Sequence, residues 1–140
     1  MGEQQATAER PPQTSGFTLM EMMIVMVLIV ILAGIGLSSY TNSVTRAKEA
    51  TLKEDLFRMR DAIDQYYADK NKYPANLDAL VSDKYLRAVP VDPFTASTDT
   101  WQTTASEPDP ANPSLESGIS NVKSGADQTG IDGTRYADWE

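Results

Sequence analysis

Glu21 is the one charged side chain in the run from Phe17 to Leu37, where Thr18 is the only other polar residue. A carboxylate in such a run is unfavourable, by about 2.5 to 3.5 kcal/mol at the middle of a membrane and less toward its boundary. Glu21 therefore calls for a cationic partner. Hydrolysis of the peptide between Gly16 and Phe17 would create one, because the new α-amine of Phe17 lies four residues ahead of the acid, in its own chain or in a neighbour arriving during assembly. A second set of candidates lies near the carboxy-terminus, where Asp127 and Asp132 alternate with Gly125, Gly130 and Gly133. A hard cation such as calcium takes six to eight oxygens, and glycines let backbone carbonyls turn inward beside the two carboxylates. A solvated turn without metal fits the same residues.

The remaining chemistry is narrow. With 0 histidines and 0 cysteines the commonest general base, the usual zinc ligands and any disulfide framework are all missing. Ordinary hydrolytic catalysis is not expected. The net charge is −8, and from Asp99 onward only Lys123 and Arg135 oppose the acids, which argues against nucleic acid as a partner.

The elements that must carry these residues follow from composition and period. Residues 1–16 are polar, contain Pro11-Pro12 and show no apolar periodicity, so they read as a leader without regular structure. The run from Phe17 to Leu37 is long enough to cross about 30 Å of hydrocarbon, and residues 17–40 are expected to form a transmembrane and assembly helix. From 41 to 72 the pattern becomes amphipathic: Leu52, Leu56, Met59, Ile63 and Tyr66 recur at helical spacing, and the pairs Glu49 with Lys53 and Glu54 with Arg58 stand at i,i+4. One helix from near Phe17 to near Asp69 would be roughly 80 Å long at 1.5 Å per residue, a rod suited to packing against copies of itself. Asn71 and Tyr73-Pro74 end it.

Residues 73–140 are then a small globular domain. Asn76 is placed to cap a short helix reaching about Lys84, the segment Val89 to Phe94 forms a rigid turn region, and Trp101–Thr104 and Ile119–Val122 read as short strands around a loop over 105–118. The fold class expected is α+β, a small antiparallel sheet packed on the far half of a long helix. Tyr73, Phe94, Trp101 and Trp139 are expected in its core.

Gly16-Phe17-Thr18-Leu19-Met20-Glu21, followed by Met22-Met23-Ile24-Val25, resembles the signature of the type IV prepilin and pseudopilin family. The resemblance implies a type IV pilin-like fold, a prepilin peptidase that cuts between Gly16 and Phe17 and methylates the Phe17 amine, and an assembly role for Glu21 in the register of each subunit on the next. Lys72-Tyr73-Pro74 and Tyr85 through Phe94 resemble the G-type major pseudopilins of type II secretion. That likeness implies a structural homopolymer rather than an enzyme, with minor pseudopilins and an inner-membrane assembly platform as further partners. It also implies a single inner-membrane span with the carboxy-terminal domain in the periplasm.

The segment Ser124 to Asp127, with Ile131-Asp132 and Asp138-Trp139, is similar to the calcium loop of those pseudopilins, which implies calcium held at Asp127 and Asp132. Three features differ from the family pattern. The leader has only Arg10 against Glu3 and Glu9, Ser38 stands where many relatives carry proline, and Gly133 follows Asp132 where paired aspartates are common. Two other readings share part of this evidence: a type IV pilin of a surface fibre for adhesion, twitching or DNA uptake, and an enzyme or binding module held by a plain signal anchor.

Overall fold

The computed structural model describes residues 2, 15–108, 110–111 and 117–140. Apart from Gly2, Ser15 and Gly16, the expected leader lies outside the described residues. The chain divides into two compact units, Met1–Ser39 and Tyr40–Glu140.

Helix α1 spans Leu19–Lys70. It stops where the sequence predicts: Asn71 adopts a left-handed φ of 52° and donates its N–H to the Tyr67 carbonyl at 2.8 Å, and Tyr73-Pro74 then prevents renewed winding. In the second unit α1 buries Leu52, Leu56, Met59, Ala62, Ile63 and Tyr66, the expected stripe with Ala62 added. Each such aliphatic side chain taken fully from water is worth about 1.5 to 3 kcal/mol before entropy is subtracted.

Helix α2 (Leu77–Ser82) begins at Asn76, whose side-chain oxygen accepts the Ala79 N–H at 2.8 Å, and it buries Leu80. Strands β1 (Gln102–Ala105) and β2 (Ile119–Lys123) pair antiparallel, each offset by a residue or less at either end from the spans read in the sequence. The fold is thus α+β, a long helix with a two-stranded sheet. Two strands are not stable alone in water; Ile119 and Val122 instead join the α1 stripe with Leu80, Trp101, Ala126, Tyr136 and Trp139 in one apolar core. Tyr73 and Phe94 pack on its edge, half-buried.

The ladder slips between Thr104 and Ala105, where Thr104 faces Asn121 but Ala105 faces Ile119, leaving Ser120 as an extra residue. That bulge is why Ile119 and Val122, three residues apart, can both be buried on a strand whose side chains should alternate. Arg60 of α1 clamps this edge: its Nε donates to the Asn121 side chain at 2.9 Å, and its Nη2 donates to the carbonyls of Val122 at 2.9 Å and Trp139 at 2.8 Å.

The turn over 89–94 conceals a buried carboxylate. Asp92 is 0% exposed; Oδ1 accepts the Phe94 N–H at 2.9 Å, Oδ2 accepts the Ser124 hydroxyl, and the Ser124 oxygen in turn accepts the Ala126 N–H at 3.1 Å. A buried polar side chain is costly unless hydrogen-bonded in this way. The Asp92–Ser124 link fastens the 92–97 turn to the strand end that leads into the carboxy-terminal loop.

Candidate processing and assembly site

Gly16 and Phe17 lie ahead of the first turn of α1, in a segment without regular structure. Among the described residues nothing stands within 4 Å of where a Gly16 side chain would begin, and Phe17 is 75% exposed. The peptide bond between them is therefore non-helical and open, the geometry that a protease needs in order to take an extended chain.

Thr18 opens the helix. Its Oγ1 accepts the Glu21 N–H at 3.1 Å, and the Glu21 Oε2 reaches back to accept the Thr18 N–H at 3.5 Å. This is a reciprocal capping box, in which two of the amides left unpaired at a helix start are satisfied by side chains. Its signature, Thr18-Leu19-Met20-Glu21, is visible in the sequence as a threonine three residues ahead of an acid. The carboxylate also sits at the positive end of the helix dipole, which favours an anion. Thr18→Val should lose the cap while Thr18→Ser keeps it. The cap is worth about 1 kcal/mol, so hydrogen exchange at the Glu21 amide in micelles should quicken roughly fivefold in the valine variant only.

Beyond the cap, α1 presents apolar side chains on every side. Met22 through Leu32, Ile35 and Leu37 are all exposed in the single chain. The best window of this helix has a mean hydropathy of 2.6 with 0% of it buried, so by length and composition it can cross a membrane. A surface apolar all round needs lipid or like helices around it. Among the described residues nothing lies within 4 Å of a would-be side chain at Gly34 or Gly36, which leaves room for close approach there.

The carboxy-terminal residues singled out for calcium are arranged differently from a metal cradle. Asp127 lies nearly bare, with Arg135 Nη2 at 3.4 Å from its Oδ1. Asp132 Oδ1 accepts both the N–H (3.0 Å) and the hydroxyl (2.7 Å) of Thr134, and these bonds hold its carboxyl below the usual range. Among the described residues no group of three or more acidic side chains could hold a metal ion. Glu49, expected to pair with Lys53, instead turns to this loop: its Oε1 accepts the Ile131 N–H at 2.8 Å and the Tyr136 hydroxyl at 3.0 Å. Burial, then the bond to Glu49, pushes the Tyr136 phenol up to about 12, so it stays protonated and able to donate. Lys53 lies 4.6 Å over the Trp139 ring. The other expected pair, Glu54 with Arg58, forms at 2.8 Å on the solvent face, where such a pair adds little.

Residues 12–37 match the family model described as "Prokaryotic N-terminal methylation motif". The chain is 35% identical over 98 residues to type II secretion system core protein G of Pseudomonas aeruginosa, covering 59% of this chain and 69% of that protein. It is 31% identical over 96 residues to the protein of the same name from Aeromonas hydrophila, covering 57% and 67%. Fimbrial protein EcpC of Eikenella corrodens is 37% identical over 81 residues, covering 54% and 53%. No solved structure matches the chain.

Proposed function

Because the chain belongs to the family of type II secretion system core protein G, we propose that it is the major pseudopilin of such a system, a structural subunit that polymerises from the inner membrane into a periplasmic fibre moving folded proteins outward. The observation that carries this reading is the conjunction at the start of α1: an open Gly16–Phe17 bond, and Glu21 four residues on, at the head of a helix exposed and apolar on all sides.

A prepilin peptidase hydrolyses the Gly16–Phe17 bond and methylates the amine released on Phe17. The helix is drawn from lipid into a bundle of like helices, where its apolar surface loses little because the neighbouring side chains are as apolar as the acyl chains. Glu21 is the exception, and its gain in the bundle comes from the Phe17 amine of an adjacent subunit. Register is set there, since apolar contacts alone do not discriminate one axial position from another. Minor pseudopilins and the inner-membrane assembly platform are the further partners, and no catalysis is assigned to the chain.

The match to a fimbrial protein favours one second reading, a type IV pilin of a surface fibre. Removal of the gene separates the two: loss of protein export with surface fibres intact supports the pseudopilin, and loss of surface fibres with export intact supports the pilin. The processing step has its own test. Mass spectrometry of the membrane-extracted protein should give a chain beginning at methylated Phe17, and Gly16→Val should leave it uncleaved. An N-terminus at Met1 in the wild-type protein, or one beyond Leu37, overturns the prepilin reading.

A further inference from the structure

The carboxy-terminal loop resembles one that holds calcium, but several of its oxygens are turned to bonds within the loop. The Gly130 N–H binds the Thr134 carbonyl at 2.7 Å, the Gly133 N–H binds the Gly130 carbonyl at 3.0 Å, and the Tyr136 N–H binds the Gln128 carbonyl at 3.1 Å. These three bonds close the loop on itself. Of the two carboxylates expected as ligands, Asp132 is turned to the Thr134 amide and hydroxyl, and Asp127 points into solvent beside Arg135 rather than into the loop. The backbones of Thr129 and Arg135 pair as an antiparallel bridge across the loop, which closes it further. Among the described residues no three acidic side chains come together here, so the residues present do not fit a cation that takes six to eight oxygens.

What holds the loop instead is visible on α1. Glu49 Oε1 accepts from Ile131 and Tyr136 at once. Tyr136 is 1% exposed, stacks on Phe94 with ring centroids 3.9 Å apart, and meets the Trp139 ring edge-on at 4.9 Å. The Trp139 Nε1 donates to the Thr134 hydroxyl at 2.6 Å. A side chain on Gly130 would begin 3.1 Å from Glu49 Oε1 and 3.0 Å from Asp132 Oδ1, so the loop is drawn tightly over the acid. We infer that this loop is fastened to α1 by Glu49, acting through Ile131 and Tyr136, and that the fold has no need of a divalent cation.

The test uses the full chain in detergent micelles. Its melting temperature should agree within about a degree in millimolar calcium and in chelator, whereas an ion at roughly a hundredfold above its dissociation constant would raise it by several degrees. Glu49→Leu should lower the midpoint by several degrees, equally in both conditions. Glu49→Gln keeps an acceptor oxygen and should lose less. A calcium-dependent rise in the wild-type protein overturns the inference, and so does a Glu49→Leu variant that melts like wild type. Should Glu49→Leu fail to accumulate, hydrogen exchange at the wild-type Ile131 amide decides: protection unchanged by chelator is expected, and protection lost with chelator overturns it.

Discussion

Glu21→Val should yield a protein that is cleaved and inserted normally but polymerises at least tenfold less. The expectation rests on two opposed effects of one substitution. In lipid the variant helix is improved, because an acid near the end of an apolar run is replaced by a branched hydrocarbon. In the fibre it is worse off, since each subunit loses a bond between charged groups worth about 1.5 to 3 kcal/mol in a site shielded from water. At 1.4 kcal/mol per tenfold, one such loss at every subunit boundary is enough to starve a polymer whose other contacts are apolar and weakly ordered in register. The Thr18 capping box refines the prediction. Thr18 Oγ1 accepts the Glu21 backbone N–H, which survives the substitution, so the helix start should hold while the charge pair is lost. Fibre yield by electron microscopy, set against membrane content by immunoblot, separates assembly from insertion. Wild-type yield from Glu21→Val would remove the charge pair from the mechanism.

The same chain shows which features a sequence discloses. Leu52, Leu56, Met59, Ile63 and Tyr66 were legible because helical burial repeats every three to four residues, and each of them is buried. Asn76 was legible because a cap acts over three residues. Gly16, Phe17 and Glu21 stand out as candidates because all three fall within six residues and a lone acid in an apolar run is oddly placed for another purpose. What stayed hidden depends on distant pairing. Glu49 finds partners 82 and 87 positions away, and no local rule could prefer Ile131 and Tyr136 over Lys53. Arg60 reads as a solvent residue on α1 until β2 is laid beside it. Asp92 reads as a turn residue, and it is one, but its burial depends on Ser124, 32 positions on. The Ser120 bulge likewise exists only once register with β1 is known.

The other large effect is expected at a glycine. Gly125→Ala should destabilise the carboxy-terminal domain by about 3 kcal/mol or more, at or beyond the upper end of ordinary overpacking. A β-carbon there would lie 2.0 Å from the Thr100 carbonyl oxygen and 3.0 Å from its carbon, and both are backbone atoms that no rotamer change can move aside. To make room, the strand end after β2 must part from the residues before β1. Gly125 lies between Ser124, which donates to buried Asp92, and Ala126, which belongs to the core, so neither neighbour can yield without loss. Gly133 is the comparison. Its φ of 85° strains any other residue, but its surroundings are open, so Gly133→Ala should cost only about 1 to 2 kcal/mol. Thermal denaturation followed by the fluorescence of Trp101 and Trp139, both buried in the domain, reads the two variants on one scale. The expected order is wild type, then Gly133→Ala, then Gly125→Ala well below. A Gly125→Ala protein melting within a degree of wild type would show that the approach of Gly125 to Thr100 is looser than the structure has it.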